Sequence, residues 1–138
     1  MESGHSDTVT EGIRVQVAAQ FIPGQSDPDR KQWAYAYRVV ISNEGDESAT
    51  LVSRHWIIRD AQNDVEEVRG AGVVGENPDL APGDSFEYMS GCPLSTEWGT
   101  MEGTYLMRRP SGSEFEARIG RFFLAPNTAP IDGLEIEG

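Results

Sequence analysis

Residues 33–43 read WAYAYRVVISN. Trp33, Tyr35, Tyr37, Val39 and Ile41 fall at every second position, so an extended chain presents all five on one face. A helix would scatter them around its circumference. The run is rich in aromatic and β-branched residues and ends at the turn Asn43-Glu44-Gly45-Asp46, which makes it a long strand. The same period continues outward. Upstream, Ile13, Val15, Val17, Ala19 and Phe21 alternate with Arg14, Gln16, Ala18 and Gln20, and the turn-rich PGQSDPDRK at 23–31 separates the two strands. Downstream, 50–59 (TLVSRHWIIR) reads as a third strand, and Gln62-Asn63-Asp64 leads to a short fourth at 65–69. PDLAPGDS at 78–85 reads as loop. Phe86 and Tyr88 open a further inward-facing set, and Met101, Tyr105 and Met107 share a face with Gly103.

The last strand changes phase. Phe115, Ala117 and Ile119 face one way, whereas Phe122 and Leu124 are out of step by one residue. A bulge near Gly120-Arg121 would return both sets to the core, because one inserted residue resets the alternation. About seven strands separated by turn signals fit an all-β fold, an antiparallel β-sandwich of immunoglobulin or fibronectin-III type, with a barrel as the alternative.

A chain of 138 residues is one domain by size and can bury a core without disulfides. Its 11 basic and 23 acidic residues give a formal charge of −12. That excess disfavours a nucleic-acid backbone or an anionic membrane surface as the partner. No apolar run reaches the ~18 residues of a spanning helix, and MESGHSDTVT lacks the basic-then-apolar pattern of a signal peptide, so a cytoplasmic location is expected. Residues 1–11 and 128–138 each carry three acidic residues and no Lys or Arg. The expected organisation is therefore a disordered acidic tail at 1–11, a β-sandwich at 12–127, and an acidic tail at 128–138.

Gly70-Ala71-Gly72-Val73-Val74-Gly75 matches G-x-G-x-x-G. A dinucleotide fold needs a helix next, which could tolerate Pro78 in its first turn but not Pro82 with Gly83 beside it. Two readings remain: a glycine-rich strand or bulge where backbones approach closely, or an anion-binding loop of another kind. In the second, the amides of Gly70, Gly72 and Gly75 would hold a small phosphorylated ligand, with Arg54 or Arg69 as counter-charge. Arg54 shares its strand face with Val52, Trp56 and Ile58, so its guanidinium must reach a carboxylate, a carbonyl or the sheet edge. Arg108 and Arg109 are further basic positions near a strand end. No metal site is expected: His5, His55 and Cys92 are the soft or imidazole ligands available, and zinc has no C-x-x-C pair. Ser90-Gly91-Cys92 places a hydroxyl and a thiol near a turn, with His55 as the imidazole base outside the tail, but no nucleophile motif surrounds them. No catalytic residue and no cofactor is assigned.

From about residue 13 to 124 the order of motifs resembles the ApaG family. The matching stretches are YRVVISN at 37–43, LVSRHWIIRD at 51–60, VRGAGVVG at 68–75, PDLAPG at 78–83, FEYMSG at 86–91, TMEGTY at 100–105 and FFL at 122–124. The chain departs from the family pattern at Glu97-Trp98 and at Ile119-Gly120-Arg121. The resemblance implies a fibronectin-III-like sandwich. It also implies a family linked by name to cobalt resistance and magnesium efflux without an established activity, and related domains that look like protein-interaction modules. The expectation is a non-enzymatic domain that binds a protein, or alternatively a nucleotide or pyrophosphate held by the GAGVVG loop.

Overall fold

Each alternating run forms a strand, because only an extended chain sends every second side chain to the same face. The computed structural model describes residues 4–126, and among these nine strands build two antiparallel sheets. They are β1 His5–Thr10, β2 Ile13–Phe21, β3 Trp33–Asn43, β4 Ala49–Asp60, β5 Val65–Ala71, β6 Asp79–Leu80, β7 Ser85–Leu94, β8 Gly99–Arg108 and β9 Glu114–Leu124. One sheet has the order β1-β2-β3-β7; the other is β5-β4-β8-β9, with β6 also on β4. Their inner faces bury Val15, Tyr35 and Ile41 against Leu51, Tyr105 and Phe122. This is the expected two-sheet β-sandwich rather than the alternative barrel.

Two bulges tune the inner face of the second sheet. Met101 pairs with Phe122 but Gly103 pairs with Ile119, so Gly120-Arg121 supply one extra residue on β9. Ile119 and Phe122 are both buried as a result, as the phase change requires. The second bulge corrects the expected face of β4. Leu51 pairs with Met107 and Ser53 with Leu106, which leaves Val52 as the inserted residue. Leu51, rather than Val52, therefore joins Trp56 in the core. The bulged backbone is held by Asn77, whose Nδ2 donates to the carbonyls of Leu51 and Val52 at 3.0 and 3.1 Å.

The expected tail at 1–11 is also corrected, because residues 5–10 form β1. Six register pairs join it to β2 through the Glu11-Gly12 turn, both of whose residues have positive φ. Arg14 grips the Asp7 carboxylate with two nitrogens at 2.8 and 2.7 Å. Thr8 Oγ1 donates to the Arg118 carbonyl at 2.6 Å, and the Arg118 amide donates to Thr10 Oγ1 at 3.1 Å. Thus β1 covers the free edge of β9 in the facing sheet and closes that side of the sandwich. The expected acidic tail at 128–138 lies outside the described residues.

Candidate functional site

The glycine-rich segment is a strand end followed by a tight turn. Gly70 pairs with Arg54 across the β4–β5 ladder. The Arg54 guanidinium lies over it so closely that a Cβ at Gly70 would sit 2.7 Å from the nearest nitrogen. Arg54 Nη1 donates to the carbonyls of Ala71 and Gly72, both at 2.9 Å. The Gly72 amide donates to the Val52 carbonyl at 2.9 Å, and Val73 and Glu76 exchange two backbone hydrogen bonds of 2.8 Å. Between them Val74 and Gly75 have φ of 43° and 80°, the pattern of a two-residue hairpin turn. Gly72 itself has φ of +59°, and a Cβ there would meet the Glu76 carbonyl oxygen at 2.2 Å.

An anion cradle needs amides that converge on open space. Here the Gly72, Val73 and Glu76 amides are engaged by carbonyls, and the nearest guanidinium is engaged by two more. The geometry brings Gly70, Gly72 and Arg54 together as a structural clasp. It leaves Gly75 at the exposed tip. Arg69 points to the outer face of the sheet, 71% exposed and 3.3 Å from Glu67, whereas Arg54 points inward. The two arginines expected to share an anion therefore lie on opposite faces.

Other candidates are likewise separated. His55 is on the outer face, with Nε2 2.7 Å from Glu67 Oε1, while Cys92 is buried on the inner face of β7. Ser90-Gly91-Cys92 runs within β7 rather than beside a turn. Burial, reinforced by the charge of Glu66, pushes the Cys92 thiol up to about 12, so it is no activated nucleophile. Arg108 pairs with Glu114 at 2.6 Å, and Arg109 sits 4.5 Å above the Phe115 ring.

The feature missed in the sequence lies between β5 and β7. These are the edge strands on the side opposite β1 and β9, and they do not hydrogen-bond to each other. A cavity of about 250 Å³ opens between them, floored by Tyr37, Trp56 and Met101 and walled by Val68 and Cys92, with Arg54 at one end. The Tyr37 and Trp56 rings meet edge-on with centroids 5.3 Å apart. Trp56 is 3% exposed, and its Nε1 is buried with no acceptor among the described residues. Burial raises the Tyr37 hydroxyl, and also the deeper hydrogen-bonded pair Tyr88 and Tyr105. Apart from Arg54 and Cys92, these side chains read in sequence as ordinary core, since a lining residue and a core residue share the same chemistry.

The ApaG domain model matches residues 23–109 of this sequence. The chain belongs to the ApaG family. Protein ApaG of Dechloromonas aromatica is 54% identical over 120 residues, covering 87% of this chain and 94% of that one. Protein ApaG of Bordetella pertussis is 51% identical over 113 residues, covering 82% and 86%. A crystal structure of a Bordetella pertussis protein titled ApaA superposes with a TM-score of 0.80 at 47% identity, covering 93% of this chain and all of the other. A second structural-genomics target gives 0.79 at 41% identity, covering 92% and 97%. The ApaG model spans β3 to β8 and so includes both edges of the open side; β1, β2 and β9 fall outside it.

Proposed function

We propose that this ApaG-family chain is a non-enzymatic interaction domain whose binding face is the open side between β5 and β7. One observation carries the reading: among the described residues, the sandwich has an edge strand left unpaired beside a cavity. The Asn43 amide donates to Asp84, which sets the alternation of the β3–β7 ladder. By that alternation Glu87, Met89 and Gly91 direct their backbone groups away from β3, toward whatever docks on the edge. Met89, 41% exposed, stands among them. An extended segment of a partner protein would add to this edge as a further strand. Pro93, at the same alternation, lacks an amide and ends the usable edge. On this reading the family's link to cobalt and magnesium acts through the partner.

The test is retention from native lysate by the immobilised full chain. A stoichiometric protein is expected at low and high salt. Met89→Pro, which removes one outward amide, should lose it, and Val9→Lys on the closed side should keep it. Equal retention by Met89→Pro, or no stoichiometric protein at either salt, overturns the reading.

A further inference from the structure

Resting on that choice of binding face, we propose that the strand docking on the β7 edge is the β7 edge of a second copy of this chain, paired antiparallel about a two-fold axis at Met89. The two edges of the open side differ in charge. β5 carries Glu66, Glu67 and Arg69, and charged side chains discourage strand addition. β7 carries one charged residue, Glu87, which lies 3.6 Å from Arg38 of its own sheet. Its inward set, Tyr88, Cys92 and Leu94, is buried, whereas Glu87, Met89 and Gly91 are exposed. These three also turn their backbone groups away from β3.

The order Ser85, Glu87, Met89, Gly91, Pro93 is what selects a second copy, because it complements itself. With the axis at Met89, that residue meets its own counterpart and covers an exposed thioether on each side. Glu87 falls opposite the partner's Gly91, which has no side chain to crowd it. Glu87, Met89 and Gly91 each donate and accept across the axis, and the Ser85 amide reaches the carbonyl of the partner's Pro93. That proline therefore sits at the last pair, where its missing amide matters least. Neighbouring registers are worse. An axis at Glu87 sets the two carboxylates face to face, and one at Tyr88 makes them diagonal neighbours. An axis at Ser90 leaves Ser85 without a partner inside the strand. With Met89 central, the two Glu87 residues stand roughly 13 Å apart along the strands. A second copy also arrives with its strand already extended, so it avoids the ordering cost of a flexible segment.

The test is analytical ultracentrifugation of the purified full chain. A single strand pair makes a small interface, so a monomer–dimer equilibrium with a Kd of ~100 μM is expected, followed from ~5 to ~500 μM chain. Each copy carries a formal charge of −12, so raising NaCl from ~20 to ~500 mM should tighten the dimer about threefold by screening. Met89→Pro deletes the amide on the axis and should leave a monomer. Gly91→Glu sets a carboxylate against the partner's Glu87 and should weaken pairing at least about tenfold, whereas Gly91→Lys should tighten it about threefold. A Cβ at Gly91 meets the Tyr35 carbonyl oxygen at an ordinary 3.5 Å, and both variants share it, so their difference reports the pairing rather than folding. A monomer at every concentration, a dimer that dissociates as salt rises, an unchanged Kd in Met89→Pro, or equal effects of Gly91→Glu and Gly91→Lys would overturn the proposal. A monomer that still retains another protein through Met89 removes the self-pairing and leaves the interaction reading. A dimer that retains no other protein removes the foreign partner and leaves the self-pairing.

Discussion

Along one long side of the sandwich, β1 straps β2 to β9, and the hydroxyls of Thr8 and Thr10 satisfy the backbone of Arg118 in the facing sheet. Along the other, β5 and β7 flank a cavity with no strand between them among the described residues. The two sides use different chemistry. The closed side is sealed by polar groups and register; on the open side Arg54 clasps Gly70 within one sheet, and aromatic rings line the gap between the sheets. Sealing an edge removes a place to bind, so under the proposed function the contrast separates what stabilises this fold from what is left to recognise a partner.

Deleting residues 1–11 should have the largest effect. It removes six register pairs and uncovers the edges of β2 and β9, and a loss of about 4 kcal/mol is expected in urea denaturation. A true tail would leave the midpoint unchanged, and that result would break the comparison at its closed end. Next comes the glycine motif on the open side. Gly72→Ala forces a Cβ against the Glu76 carbonyl in a left-handed backbone and should cost about 3 kcal/mol. Gly75→Ala, with open space at its Cβ position, should cost about 1 kcal/mol. An anion-binding role would instead make the two glycines matter together for ligand, whatever their stability.

Arg54→Met is expected to be milder. It removes two charge-assisted hydrogen bonds and strands the carbonyls of Ala71 and Gly72, a loss of about 2 kcal/mol that thermal or urea unfolding would register. Its amide shifts should be confined to 52–54 and 70–76. Shifts that spread instead along β1 and β9 would show that the two sides are mechanically coupled.

These cases also mark what the sequence discloses. The core strands are legible because burial on one face imposes a period of two, and the Gly120 bulge is legible because it leaves that period visibly out of phase. The Val52 bulge is hidden, since TLVSRHWIIR carries apolar residues in both phases. Strand β1 is hidden for a different reason. HSDTVT offers only Val9 as a large apolar residue, and Val9 is 56% exposed. Its stability comes from backbone pairing and hydroxyls, which leave no hydrophobic pattern. For the site, the need of Arg54 for an inward-facing partner follows from its strand face. That the partner is a pair of carbonyls depends on the left-handed turn after Gly72. The cavity depends on which strands end each sheet, and no local pattern encodes that.

The smallest effect lies at Asp7. Hydrogen bonds from Arg14 hold its carboxyl below the ordinary 3.8, against slight desolvation. A carboxyl with a lower value in the folded state adds stability above its unfolded value, and that contribution disappears as pH falls through the folded value. Both partners are exposed, at 36% and 44%, so solvent screening limits the gain to a few tenths of a kcal/mol. Wild type should therefore exceed Asp7→Asn by that margin near pH ~6, and the two should converge near pH ~2. On the open side Glu67 is lowered in the same direction, first by its hydrogen bond to His55 and then by Arg69. Glu67→Gln should leave the closed side's acid profile unchanged. If it removes the Asp7-dependent difference as well, the two sides are energetically coupled rather than independent.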